Sequence, residues 1–151
     1  MAFAKQNDTI VGRTPVPTAD DVDLVAPRFV QECVAADSAA ANVGVIGILP
    51  AGCTPALPLL VDSTGLGGSA AISIGILNAA GTDLSTDASD GGGPWATGVA
   101  VGAASAAQVA PTAALLGVKK ADHDRKIAVK FTAAGGSAGT LGLTVAYRSP
   151  V

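Results

Sequence analysis

The sequence predicts an all-β fold: an antiparallel β-sandwich, jelly-roll-like or immunoglobulin-like, carrying an extended N-terminal arm. Three observations predict it. Apolar residues recur in short runs of strand length, several with a period of two, which places them on one face of a half-buried strand. Hydrophobic residues make up 49 % of the chain but aromatics only 3 %, so Ala, Val, Leu and Ile carry the apolar surface. Nineteen glycines would break helices repeatedly, whereas they suit a chain of short strands and tight turns. With only 14 % charged residues the composition is also far from that of a disordered chain. At 151 residues the chain is long enough for one buried core.

The expected elements follow in order. Residues 1–27 hold Pro15, Pro17 and Pro27 and the acidic cluster Asp20, Asp21 and Asp23. They show no sustained period and read as an arm, with a sandwich domain over 28–151. Phe29–Ala35 and Val43–Leu49 are the first two strands, the second stopped by Pro50-Ala-Gly52. Ala56–Asp62 is a third, in which Pro58 implies an edge position or a bulge. Ala70–Leu77 puts Ile72, Ile74 and Ile76 on one face. Asn78–Pro94 is a long polar loop, followed directly by Trp95, the single tryptophan. Val99–Val101 reads as a short strand, and the Ala-rich stretch 103–116 as a helical turn limited by Pro111. Arg125–Thr132 and Thr140–Tyr147 both alternate cleanly around a Gly-rich reversal, the signature of a β-hairpin.

Groups for catalysis are sparse. His123 is the only histidine, and in Asp122-His123-Asp124 neighbouring side chains of an extended backbone point to opposite sides. It therefore reads as part of a charged turn. Cys33, Cys53 and His123 are too few and too scattered for a zinc site. Asp83, Asp87 and Asp90 lack the ligand alternation of a calcium loop. The glycine runs at 65–68 and 91–93 lack the Lys-Ser/Thr ending of a phosphate loop. The expectation is no enzyme, no cofactor and no metal. The two cysteines read as reduced, buried small hydrophobes.

Net charge is −3 and the isoelectric point near 4.8, which offers no general attraction to nucleic acid or to an anionic membrane. The basic residues Lys119, Lys120, Arg125, Lys126 and Lys130 are diluted by Asp122 and Asp124. The longest uncharged apolar stretch, 43–60, contains three prolines and three glycines and does not read as a spanning helix. The first fifteen residues lack the apolar segment of a signal peptide. Partner contacts are assigned to the arm and the long loop, through Pro15, Pro17, Asp20, Asp21, Asp23 and Trp95.

Leu49-Pro-Ala-Gly-Cys-Thr-Pro-Ala-Leu-Pro-Leu-Leu-Val-Asp62 leads into a turn and then Ile72-Ser-Ile-Gly-Ile-Leu-Asn-Ala-Ala-Gly-Thr-Asp-Leu84. Asp124-Arg125 and a terminal strand ending in Tyr147-Arg148 follow. Over residues 29–148 this arrangement resembles small structural proteins of tailed-bacteriophage virions that decorate or cement the capsid. The resemblance implies a β-sandwich present in many copies, frequently a trimer. It also implies binding across neighbouring major capsid proteins on the capsid surface, after assembly in the host cytoplasm. The alternative expectation is a tail, fibre or carbohydrate-binding β-module with Trp95 and the long loop on an exposed rim.

Overall fold

The computed structural model describes residues 3–13, 15–16 and 24–149. Period-two alternation becomes a one-sided strand over Arg28–Cys33, while Val43–Leu49 and Ala71–Ile76 are buried on both faces and Ser105–Gln108 is exposed throughout. β1 (Leu24–Val25) is a two-residue fragment, and β2 (Arg28–Cys33) buries Phe29, Gln31 and Cys33 while exposing Arg28, Val30 and Glu32. β2 stops two residues short of the expected end. Residues 35–38 instead form a 3₁₀ turn, held where the Asp37 carboxylate accepts the Val34 N–H at 2.8 Å. β3 (Val43–Leu49), β4 (Thr54–Ser63) and β5 (Ala71–Ile76) follow the expected runs. Pro58 sits at a bulge of β4, between Ala56 and Leu59, where a residue without an N–H interrupts no ladder bond.

β6 (Ala96–Ala100) comes next. The stretch expected to be helical then divides. Its first part is β7 (Ser105–Gln108), paired with β4, and only Ala113–Gly117 is α1. Thr112 caps that helix, its hydroxyl accepting the Ala114 N–H at 3.3 Å. Ala-rich composition does not separate an edge strand from a helix, and pairing with β4 decides.

β8 (Arg125–Ala133) and β9 (Gly139–Arg148) are the longest regular alternations of the C-terminal third. They are not a hairpin. β8 lies between β3 and β5, and β9 lies between β2 and β4, in the opposite sheet. The reversal between them crosses the sandwich and is tied to its surroundings, with Gly135 N–H donating to Ser38 O at 2.9 Å and Ser137 N–H to Leu66 O at 3.0 Å. Alternation reports that each strand has one apolar face. It is silent on whether two such faces lie side by side or opposed across a core.

One sheet runs β2-β9-β4-β7, with β1 extending the β2 side along the end of β9. The other runs β3-β8-β5-β6, and every pairing is antiparallel. From β2 onward the chain changes sheet at every step except β5 to β6, the eight-strand, double Greek-key order of a jelly roll, so the immunoglobulin alternative falls away. The core between the sheets holds Ile127, Val129 and Phe131 from β8 facing Leu141, Leu143, Val145 and Tyr147 from β9, all at most 1 % exposed.

The described part of the expected arm is not a free extension. Phe3 is 6 % exposed and belongs to the core, seated on β3 where a Cβ on Gly44 would collide with its ring. Asn7 is buried and its amide donates to Ile46 O at 2.6 Å. An aromatic two residues from the terminus carries no periodic signal, so its burial is decided by the gap that Gly44 leaves.

Candidate functional site

Among the described residues, the groups with catalytic potential do not converge. His123 Nδ1 lies 2.9 Å from Asp122 Oδ1, but the two side chains are 70 % and 99 % exposed, and Asp124 turns away to accept the Ala51 N–H at 2.8 Å. Among the described residues no three His, Cys, Asp or Glu side chains gather as a metal site. Cys33 and Cys53 are buried and unpaired, and burial pushes the Cys33 thiol up to about 12, with the Asp37 charge adding to it. Among the described residues no helix is long and apolar enough to cross a membrane.

The long loop 78–94 is a built structure rather than a mobile rim. Asn78 organises its start: its side-chain carbonyl accepts the Thr82 N–H at 2.9 Å, and its backbone N–H donates to Asp83 O at 2.8 Å. The loop then folds over the outer face of the β3-β8-β5-β6 sheet. Leu84 packs with Val43 and Ala128, and Asp83 meets Lys130 at 2.8 Å. The Lys130 hydrogen bond holds the Asp83 carboxyl below its ordinary range. Pro94 and Leu84 stand over Gly75, within van der Waals reach of a Cβ placed there.

Asp90 is bound by Arg125 at 3.1 Å and accepts the Ser85 hydroxyl at 2.7 Å. Of the three loop aspartates, Asp83 and Asp90 are occupied by cations of the fold and Asp87 by Ser89. Arg125 and Lys130 are likewise withdrawn from the basic cluster that the sequence suggested. A cleft of ≈ 450 Å³ lies between this loop and residues 121–126, lined by charged groups of both signs.

Trp95 lies at the end of the loop and is 0 % exposed. Its backbone N–H donates to Ile74 O at 2.6 Å, which draws the ring into the core beside β5. Its assignment as a partner contact, and the exposed rim of the carbohydrate reading, are therefore corrected: in this fold the indole has no surface to offer. A tryptophan after a Gly-rich loop reads equally as rim or anchor, and the Ile74 bond decides. Of the remaining assigned contacts, Pro15 is exposed. Pro17, Asp20, Asp21 and Asp23 lie outside the described residues.

The two outer faces of the sandwich differ. One is covered by the loop. The other, on β2-β9-β4-β7, is bare and made largely of small or apolar residues. Val30, Leu57 and Leu60 are 36–45 % exposed on β2 and β4, Leu24 is 54 % exposed on β1, and Leu116 is 67 % exposed on the helix beside β4. Its main charges cancel, because Arg28 pairs with Asp62 across Gly142, where a Cβ would push the two side chains aside. Beside this face, β6 and β7 form an open groove of ≈ 440 Å³ lined by ten residues, none of them charged. Residues 91–118 contain no charged side chain at all. Extended exposed apolar surface of this kind marks interaction sites. The strand-wise alternation carries this signal only once it is known which face the loop covers.

No protein-family model and no curated protein matches the chain. Among solved structures, a chain of the structure described as the capsid of Ralstonia phage GP4 is similar in fold. It superposes with a TM-score of 0.75 at 21 % identity, over 97 % of each chain. The similarity covers the jelly roll from end to end.

Proposed function

We propose that the chain is a non-enzymatic virion structural protein that decorates a tailed-phage capsid and bridges neighbouring major capsid proteins. The observation that carries this reading is the end-to-end fold similarity to a phage capsid chain, over 97 % of both molecules. The bare sheet face agrees with it. An exposed surface of Val30, Leu57, Leu60 and small residues, with Arg28 and Asp62 paired, suits repeated burial against symmetric partners. Many modest contacts on one shell add up through avidity, so no single contact needs high affinity. A trimer on the outer surface is the assembly expected from the resemblance of residues 29–148 to capsid-decorating proteins.

Two measurements test this reading. Purified particles are analysed for the copy number of this chain relative to the major capsid protein: hundreds of copies are expected, whereas a dozen or fewer assigns it to portal or tail. Heads assembled with and without the chain are then heated or osmotically shocked. Identical rupture thresholds exclude cementing.

A further inference from the structure

The N-terminal segment closes one side of the sandwich without belonging to either sheet. Its anchors all fall on β2, β3 and the 3₁₀ turn. Phe3 fills the space above Gly44, and the Asn7 amide donates to Ile46 O. Ala4 N–H donates to Asp37 Oδ1 at 2.8 Å, the Gln31 amide donates to Lys5 O, and Lys5 pairs with Glu32. The eight-strand pairing does not include the segment, so withdrawing it leaves every ladder in place.

Residues 14–23 join the segment to β1. The seat therefore selects a short sequence, Phe3-Ala-Lys-Gln-Asn7, by an aromatic ring, a side-chain amide and a cation. It does not discriminate by which copy supplies them. Those ten joining residues have a contour length of about 33–36 Å, well beyond the roughly 10 Å between packed sheets.

We propose that this seat is an exchangeable docking site between copies, filled in the assembled protein by Phe3 and Asn7 of a second copy. Exchanging an identical element makes the same contacts in either arrangement, so the balance is set by local concentration rather than by new bonds. The inference rests on the structural reading above, because copies crowded on a shell supply that concentration. The site itself is a property of the purified chain.

The Lys5–Glu32 pair provides the test. Full-length chains at natural isotope abundance and labelled with ¹⁵N are co-refolded in equal amounts and concentrated. Carbodiimide then couples the Lys5 ammonium to the Glu32 carboxylate without a spacer. Mass spectrometry of the linked peptides is expected to show mixed-isotope pairs whose share rises with protein concentration. Same-isotope pairs alone, at every concentration, overturn the proposal while leaving copy number and rupture behaviour to decide the virion role. In full-length Phe3→Ala the mixed pairs are expected to disappear, with the emission of buried Trp95 reporting that the body is still folded. Mixed pairs undiminished in that folded variant also overturn it. Should the variant fail to fold, the wild-type isotope pattern decides alone.

Discussion

Arg125 Nη1 donates to Asp90 Oδ1 at 3.1 Å, joining the first residue of β8 to the far end of the 78–94 loop, with the two side chains 6 % and 16 % exposed. The same guanidinium donates to Lys119 O at 2.8 Å and to Cys53 O and Ser89 O at 3.4 Å. One buried cation thus ties together the loop, the approach to β8 and the turn before β4. Removing one partner of such a pair leaves an uncompensated buried charge. Asp90→Ala is therefore expected to cost roughly 3 kcal/mol, within the range for broken buried pairs. Chemical denaturation measures this, and a loss below about 1 kcal/mol would place the pair among ordinary surface salt bridges.

Phe3 and Gly44 define a second relationship. Gly44→Ala introduces a Cβ into the Phe3 ring, and the ring must leave because the β3 backbone is held by β8. Phe3→Ala empties the same site, at a cost of about 3 kcal/mol if the segment stays seated and less if it detaches. The two changes are expected to be strongly non-additive, with the double variant no less stable than Phe3→Ala alone. Amide exchange over residues 3–13 and melting temperature check this. Additive losses would mean that the ring and the glycine do not share one site.

Trp95 is expected to emit as a buried indole and to resist external quenchers until the chain unfolds. Its Nε1 is buried without a hydrogen-bond partner. Trp95→Phe sheds that unpaired donor along with some volume. It should cost clearly less than Trp95→Ala, for which about 3–5 kcal/mol is typical of large aromatic deletions. Glycan binding that depends on Trp95 in the folded protein would contradict its burial.

Acid sensitivity should come from Asp62 and Asp83. The hydrogen bond from Arg28 lowers the Asp62 carboxyl, and that from Lys130 lowers Asp83. A carboxyl whose folded value lies below its unfolded value stabilises the fold above about pH 4, and that contribution disappears as pH falls through the lowered value. Asp83 is half-exposed, so its share is small. Melting curves from pH 6 to pH 2 should show a shallower acid decline for Asp62→Asn and Asp83→Asn than for wild type. An unchanged slope in both variants would assign the acid limb to other groups.

The strands were legible because apolar runs of strand length, alternating or rich in β-branched residues, are bounded by turn residues. Val43–Leu49 is β3 to the residue, and Ile72, Ile74 and Ile76 face the core as their spacing requires. The surfaces were less legible. Trp95 was assigned to a partner contact, and to an exposed rim in the alternative reading, because it follows a loop; the bond to Ile74 O sets it inward. Phe3 and Asn7 went unread because single anchors without a period leave no pattern in a sequence. The bare face of β2 and β4 could not be told from the covered face of β3 and β5. Both carry small and apolar outward residues, and only the folding back of Leu84 distinguishes them.

By itself the sequence determined that this protein is a β-sandwich, and its few His and Cys residues led to the expectation of no enzyme. Composition, period and the scarcity of His and Cys are local or additive properties, complete in the residue order. Tertiary structure decided the jelly-roll connectivity, the crossing of β8 and β9 into opposite sheets, the burial of Trp95 and the seat of Phe3. Each depends on which surfaces meet across tens of residues. Packing makes that choice by filling gaps such as the one above Gly44, and no local rule encodes the gap.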